Sequence, residues 1–102
     1  MRLSGRLIER DTLRYTPAGI PILDARLEHR SECVEAYRPR QVELEMPVVF
    51  AGRLAETADR LSVGRELSLT GFLAPRRKAG KLLVLHVTGY ESIETNLNPE
   101  EV

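Results

Sequence analysis

Apolar and polar residues alternate with a period of two in several separate stretches of this 102-residue chain. In the first stretch Leu3, Gly5 and Leu7 share one parity, while polar residues take most of the other. This alternation is typical of a strand with one buried face, because successive side chains of a strand point to opposite sides. Gly5 within the pattern indicates a bulge or a bend. The start of the chain is therefore predicted to be a half-buried strand.

The same kind of pattern predicts four further strands. They cover residues 22–31, 42–50, 66–74 and 81–90. In the fourth of the five strands Leu67, Leu69 and Leu73 are predicted to share a buried face. The fifth is apolar at nearly every position, so we expect it to be buried on both sides.

Two segments depart from the alternation. Residues 32–40 are polar and contain a proline between two arginines, which predicts an irregular connection. Residues 53–61 change to a helical period, because Leu54, Ala58 and Leu61 lie at positions i, i+4 and i+7. A short helix is therefore predicted between the third and fourth strands.

The predicted order is β-β-β-α-β-β, which is the layout of the five-stranded OB-fold barrel. Glycines inside strands suit such a barrel, because its strands must bend sharply. A split sheet packed on one helix is the structural alternative. We predict an all-β fold with one short helix, comprising an OB-fold domain over residues 1–93. The acidic tail, residues 94–102, is expected to be disordered.

Charge is balanced over the whole chain but clustered locally. There are 15 Lys and Arg residues and 15 Asp and Glu residues, which excludes a uniformly basic protein. No acidic residue lies between Arg76 and Tyr90. The cations of that stretch are Arg76, Arg77, Lys78 and Lys81. Such a basic run between two strands favours nucleic-acid binding over a merely solvated hairpin.

The residue types that carry enzyme chemistry are not arranged in any known catalytic motif. The chain has no phosphate-binding glycine loop, nucleophile elbow or HExxH sequence. His29, Cys33 and His86 fall short of a zinc site, which needs about four ligands, or three and a water. The single cysteine excludes an internal disulfide, and no apolar run is long enough to cross a membrane. We expect a soluble cytoplasmic binding protein with no cofactor, metal or small-molecule substrate.

Several short motifs resemble primosomal replication protein N, the PriB family. They are Leu3-Ser4-Gly5, Pro17-Ala18-Gly19-Ile20-Pro21, Leu27-Glu28-His29-Arg30-Ser31, Met46-Pro47-Val48 with Gly52, Gly71-Phe72 and Val84-Leu85-His86. The resemblance covers residues 1–93 with near-constant spacing, and the G-I-P turn followed by L-E-H-R-S is its most specific part.

This resemblance implies a single-stranded-DNA-binding OB-fold that acts in replication restart without strong sequence preference. It also implies a bridge between a primosomal helicase and a helicase-loading factor. The family forms homodimers with the first strand at the centre. The corresponding dimer interface here would comprise Leu3, Gly5, Leu7 and Ile8.

The resemblance also implies DNA-binding residues. It places Arg14 before the G-I-P turn, Arg30 in the L-E-H-R-S segment, and the family's basic loop at residues 76–81. Glu43 stands where some members have a base-stacking tryptophan, so Tyr15 and Tyr37 are the nearest aromatic substitutes. The predicted DNA-binding set is Arg14, Tyr15, Arg30, Tyr37, Arg38, Arg40, Arg76, Arg77, Lys78 and Lys81.

Two alternatives remain at this point. Arginines of the first two strands either extend the DNA track or pair with the acidic residues interleaved among them. The residues concerned are Arg10, Arg14, Arg26 and Arg30 against Glu9, Asp11, Asp24 and Glu28. The second alternative concerns function: Glu43, Glu45 and the acidic tail favour a protein-interaction module in which DNA binding is weak. An OB-fold that binds RNA or oligosaccharide is a further possibility, because the fold does not choose the ligand.

Overall fold

Within residues 1–76 and 80–93, which are those that the computed structural model describes, the chain forms six strands and one helix. The side chains of residues 32–35 and 40 lie outside that description. The elements are β1 (Arg2–Arg10), β2 (Arg14–Tyr15), β3 (Pro21–Glu35), β4 (Arg38–Ala51), α1 (Arg53–Ala58), β5 (Glu66–Pro75) and β6 (Leu83–Ser92).

Five of these strands close into a barrel. The sheet order is β1-β5-β6-β4-β3, and a further β1–β3 pairing completes the ring. The β4–β6 pairing is parallel, and the others in the ring are antiparallel. The two-residue strand β2 was not predicted; it pairs with the beginning of β3. The predicted OB-fold architecture is confirmed, and the split sheet is not formed.

Aliphatic side chains fill the barrel, as the alternation predicts. The buried cluster comprises Leu3, Leu7, Leu23, Leu27, Val48, Phe50, Ala55, Ala58, Leu67, Leu69, Leu85 and Val87. Leu27, Leu67 and Leu69 have no exposed surface. Phe50 and Tyr90 meet edge to face, with ring centroids 5.7 Å apart, so the core has one aromatic pair.

The helix covers the core but ends one turn earlier than predicted. Ala55 and Ala58 are buried, while Leu54 and Leu61 are half-buried against the core. After Ala58 the backbone bonds tighten to i→i+3, with the Leu61 amide donating to the Ala58 carbonyl at 2.9 Å. That tightening ends the helix before Leu61. No helix among the described residues has the length and apolar character needed to cross a membrane.

The predicted irregular connection at residues 32–40 is wrong. β3 and β4 instead form one long hairpin whose two turn residues, Ala36 and Tyr37, have φ angles of 52° and 67°. Pro39 opposes Val34 in the second pair from the turn. In an antiparallel ladder this is a pair whose two residues do not exchange backbone hydrogen bonds. The missing N–H of Pro39 is therefore tolerated, and the ladder continues to the tip.

The β5–β6 hairpin also corrects the expected burial. The pairing shifts between Thr70 and Gly71 and leaves Thr88 of β6 as the extra residue, which marks a bulge in β6. Beyond it Leu73 is exposed rather than buried with Leu67 and Leu69. β6 begins at Leu83, and Leu82, Leu83 and Thr88 are exposed, so the expected burial on both sides is wrong except at Val84, Leu85 and Val87.

Gly5 and Gly71 occupy the two places where strands approach most closely. A Cβ at Gly5 would overlap the carbonyl oxygen of Glu28 in β3, and one at Gly71 would overlap that of His86 in β6. The bulge predicted at Gly5 is instead found between Leu7 and Glu9. The absence of a side chain at these glycines permits the tight closure of the barrel.

Candidate nucleic-acid interface

One row of side chains crosses the outside of the barrel from β3 to β5. The register pairs Asp24 with Val49, Val49 with His86, and His86 with Phe72. Directly opposed residues share a face of a sheet. Leu23 and Leu85, which neighbour Asp24 and His86 in sequence, face the core. We call Asp24, Val49, His86 and Phe72 the outward row.

Two arginines converge on Asp24 at the β3 end of the row. The Arg14 Nε and Nη2 atoms lie 3.2 and 3.0 Å from Asp24 Oδ2. Arg76 Nη2 lies 3.0 Å from the same oxygen. The Asp24 side chain is 12% exposed, whereas those of Arg14 and Arg76 are 51% and 47% exposed. This Asp24 cluster therefore presents two arginines to solvent above a mostly covered carboxylate.

Arg76 begins the basic loop, residues 76–82, which joins β5 to β6. Its side chain contacts Asp24 of β3, so the basic loop begins beside the β3 end of the outward row. Arg76, Gly80, Lys81 and Leu82 line a small surface depression, and Lys81 is exposed. Arg77 and Lys78 lie outside the described residues. The described part of the basic loop is thus adjacent to the Asp24 cluster.

Phe72 is an aromatic that sequence reasoning missed. Its ring is 54% exposed and stacks on His86, with centroids 5.1 Å apart and planes 7° from parallel. Phe72 has the same outward parity as Ser68 and Thr70, because the extra residue of the bulge, Thr88, lies in β6 and leaves the alternation of β5 unbroken. That alternation was the available signal, since Leu67 and Leu69 face the core.

The remaining candidate arginines are paired with acidic residues, as one alternative proposed. Arg26 lies 3.7 Å from Glu9 and 3.5 Å from Glu45. Arg30 lies 3.6 Å from Glu28 and 3.8 Å from Glu43. These pairs, together with an Arg6–Glu28 contact of 3.0 Å, form a charge network on β1, β3 and β4. In this network Arg26 and Arg30 each contact two glutamates, whereas at the Asp24 cluster two arginines contact one carboxylate.

Arg10 of β1 pairs with Asp59, which directly follows α1. It contacts Asp59 through the carboxylate at 3.2 Å and through the carbonyl at 2.5 Å. Asp11, one of the acidic residues set against these arginines, donates its backbone N–H to the Asp24 carbonyl oxygen at 2.9 Å. Arg10 therefore ties β1 to the end of α1 and is not directed to the outward row.

The other predicted residues lie on separate parts of the surface. Tyr15 is 60% exposed in β2, next to Arg14, and Tyr37 is fully exposed at the tip of the β3–β4 hairpin. Arg38 is exposed beside Tyr37. The side chain of Arg40 lies outside the described residues. The structure thus places Arg14, Tyr15 and Arg76 near one another and Tyr37 at the remote hairpin tip.

Most residues of the predicted dimer interface on the first strand are covered by their own barrel. Leu3 and Leu7 are 9% and 2% exposed because they face the core of their own barrel. Gly5 packs against the backbone of β3. Only Ile8, which is half-buried on the opposite face, offers an apolar side chain toward solvent. Pairing of β1 with a second copy stays a prediction, and it would have to use Ile8 and the main chain.

Among the described residues, no three His, Cys, Asp or Glu side chains lie together as a metal site would require. His29 Nδ1 lies 2.6 Å from the Ser4 carbonyl oxygen, a contact that holds β3 against β1. The side chain of Cys33 falls outside the description.

This chain is similar to known proteins that bind single-stranded DNA or act in replication restart. A family model described as "Another single-strand binding protein family" matches residues 1–89. The replication restart protein PriB of Bordetella pertussis is 44% identical over 87 residues, which are 85% of this chain and 81% of that protein. The chain belongs to the PriB family. The resemblance found in the sequence motifs is thereby confirmed.

Solved structures agree with this family. The PriB protein of Ralstonia solanacearum is 38% identical and superposes with a TM-score of 0.81, covering 92% of this chain and 96% of that chain. The single-stranded DNA binding protein of Thermus aquaticus is 29% identical with a TM-score of 0.75, covering 92% of this chain and 49% of that chain. PriB proteins and single-stranded DNA binding proteins therefore share the barrel described above.

Proposed function

We propose that this chain binds single-stranded DNA along the outward row and the basic loop, without strong sequence preference. The observation that carries the proposal is the convergence of Arg14 of β2 and Arg76 of the basic loop on Asp24, in the same outward row as the exposed Phe72 ring. Binding of single strands without sequence preference requires cations for phosphates and aromatic faces for bases. The names of the relatives, replication restart protein and single-stranded DNA binding protein, support the same ligand.

In this proposal the phosphates contact the cations at one end of the row. Arg14, Arg76 and Lys81 supply the described donors, and Arg77 and Lys78 add to them from the undescribed part of the loop. A base stacks on the Phe72 ring, which His86 supports from beneath. The strand would thus cross β4 and β6 between the two ends. Every base has an aromatic face, so this arrangement does not select a sequence.

The remaining candidates extend the track in two directions. Tyr15 lies beside Arg14 and offers a second exposed ring. Arg30, Tyr37, Arg38 and Arg40 belong to the far part of the β3–β4 hairpin, where Arg30 is already paired with two glutamates. We therefore propose a smaller contribution from this hairpin than from the Asp24 cluster.

The cellular role we propose is that of a replication-restart accessory protein in the cytoplasm. It would act as a homodimer joined through β1 and would bridge a primosomal helicase and a helicase-loading factor. The family membership supports the restart role. The bridge and the dimer need a surface apart from the DNA track, and the charge network offers one on the same barrel.

A second candidate function is a protein-interaction module with weak DNA binding. The interleaved charges of Arg26, Glu28, Arg30, Glu43 and Glu45 favour it, because carboxylates repel phosphate. Such a surface suits a partner with complementary charges of both signs. The two candidates differ in whether the isolated protein holds DNA.

Fluorescence anisotropy with a labelled dT oligonucleotide separates them. We expect measurable binding at low salt and a log–log salt slope of about −3, at about −0.7 for each cation–phosphate contact in a single strand. An unlabelled RNA of matching length added as competitor tests the preference for DNA. Absence of binding even at low salt would contradict the proposal and favour the interaction module. Size-exclusion chromatography of the free protein tests the dimer.

A further inference from the structure

Within the described part of the chain, the side-chain hydrogen bonds of the Asp24 carboxylate all go to Arg14 and Arg76. One oxygen, Oδ2, accepts from two nitrogens of Arg14 and from one of Arg76. The two residues are 62 positions apart in sequence, and Asp24 joins the segments that hold them. We propose that Asp24 is a positioning residue that fixes Arg14 and Arg76 as a ready-made site for one phosphate group. This inference rests on the proposed DNA-binding function.

The distances place the two guanidinium groups close enough to share an anion. Arg14 Nη2 and Arg76 Nη2 each lie 3.0 Å from the same oxygen, so they are at most 6.0 Å apart. A phosphate oxygen accepts hydrogen bonds at about 2.7–2.9 Å from charged donors. Two guanidinium groups at this separation can therefore contact one phosphate together.

The donor count allows Asp24 and a phosphate to be bound at the same time. An arginine carries five N–H donors. Asp24 engages Arg14 through two nitrogens and Arg76 through one, which leaves donors on both arginines. Both arginine side chains are about half exposed while that of Asp24 is 12% exposed. The remaining donors thus have access to solvent without displacement of the carboxylate.

Asp24 also offsets two costs of holding such a site open. Two like charges within about 6 Å repel each other, and an interposed carboxylate reduces that repulsion. Each arginine also loses side-chain entropy when it is ordered. An arrangement that is already ordered before DNA binds removes part of that cost from the binding step. Asp24 therefore favours binding although its own charge repels phosphate.

The test compares two substitutions that remove the same charge. Asp24→Asn takes the carboxylate from the cluster, and Asp11→Asn removes a negative charge nearby. Asp11 is exposed and forms no ion pair within the described part of the chain. From charge alone, both variants should bind a dT oligonucleotide slightly more tightly than the wild type. We expect this for Asp11→Asn, and for Asp24→Asn a weakening of about fivefold, as for one lost phosphate contact.

A second readout separates positioning from general destabilisation. Arg76→Gln should weaken binding in the wild type but should have little further effect in Asp24→Asn, because the two residues act together. Asp24→Glu keeps the charge and should restore most of the affinity. Thermal unfolding confirms that each variant is folded at the assay temperature. If Asp24→Asn does not fold, the same cycle with Asp24→Ser, which also removes the carboxylate, supplies the comparison.

The outcomes are distinct. Equal or tighter binding by folded Asp24→Asn, relative to Asp11→Asn, would overturn the positioning role and make Asp24 a competitor of phosphate. Independent effects of Asp24→Asn and Arg76→Gln would overturn it as well. Failure of the wild type to bind dT at low salt would overturn the proposed function itself, and with it this inference.

Discussion

The β3–β4 hairpin contains two regions built from the same two strands. In the part nearer the barrel, β3 also pairs with β1 as far as Glu28, and β4 pairs with β6. Beyond that point, residues 29–44 form an arm in which the strands pair only with each other among the described residues. Leu23 and Leu27 of the barrel part are almost fully buried, whereas Leu44 of the arm is 37% exposed.

The charges of the two regions differ in the same way. In the barrel part Asp24 holds two arginines, so the cluster carries a net positive charge. In the charge network, which lies where the barrel part meets the arm, Arg30 is shared between Glu28 and Glu43, and Arg26 between Glu9 and Glu45. Arginines alone therefore do not mark a phosphate site. The balance of the surrounding carboxylates decides which of them attract DNA.

The largest difference between the regions should appear in stability. Leu27→Ala leaves a cavity in the core and should lower the free energy of unfolding by about 3 kcal/mol. Leu44→Ala removes the same atoms from the arm and should cost less than about 0.5 kcal/mol. Urea unfolding followed by circular dichroism measures both. Similar losses for the two variants would show that the arm is as strongly packed as the barrel.

The strands of the barrel could be predicted because alternation depends only on neighbouring residues. Leu3, Leu7, Leu67 and Leu69, which alternation placed on a buried face, are all buried. The arm was missed because its turn, Ala36-Tyr37, contains none of the glycine or asparagine that favours positive φ. Pro39 reinforced the error, since its tolerance depends on which pairs of the ladder exchange hydrogen bonds.

The site could be predicted only in part for a related reason. The basic loop was evident from composition, and the motif resemblance singled out Arg14. The Asp24 contact was not evident, because it joins residues that meet only after the barrel closes. The outward direction of Phe72 follows from the alternation with Leu67 and Leu69, but only cations and tyrosines were singled out as DNA contacts.

The next largest effect concerns the two groups of arginines. Changing Arg14 and Arg76 together to Gln keeps hydrogen-bond donors near Asp24 but removes both positive charges. We expect about a tenfold loss of affinity for a dT oligonucleotide, equivalent to about 1.4 kcal/mol, and a salt slope that is flatter by about 0.7, as for one shared phosphate. Changing Arg26 and Arg30 together to Gln makes the same charge difference within the charge network.

Comparison of these two double variants shows which group of arginines contacts the phosphates. The Arg26 and Arg30 variant should lose less than about threefold in affinity, because its arginines are already neutralised by glutamates. Salt-titrated anisotropy gives affinity and slope for both variants. A greater loss from the Arg26 and Arg30 variant would move the DNA track onto the arm.

A smaller effect should identify the stacking ring. Phe72→Leu keeps an apolar cover over His86 but removes the aromatic face, so affinity should fall about fivefold, at the lower end of the range for one stacked base. Tyr37→Leu makes the comparable change at the tip of the arm and should have a lesser effect. Quenching or anisotropy titrations at one low salt concentration measure the difference. A larger loss from Tyr37→Leu would place the stacked base on the arm.

The smallest effect should come from the turn of the arm. Ala36 has a φ of 52°, a left-handed conformation that costs an L-residue about 1–2 kcal/mol and glycine almost nothing. Glycine loses more freedom on folding, about 0.5–1 kcal/mol, so Ala36→Gly should raise the free energy of unfolding by a net of about 0.5 kcal/mol. Ala51→Gly, in the same strand pair but without a positive φ, should instead lower it, because only the entropy cost remains. Urea midpoints compare the two variants, and a destabilised Ala36→Gly would mean that the arm does not hold this turn in solution.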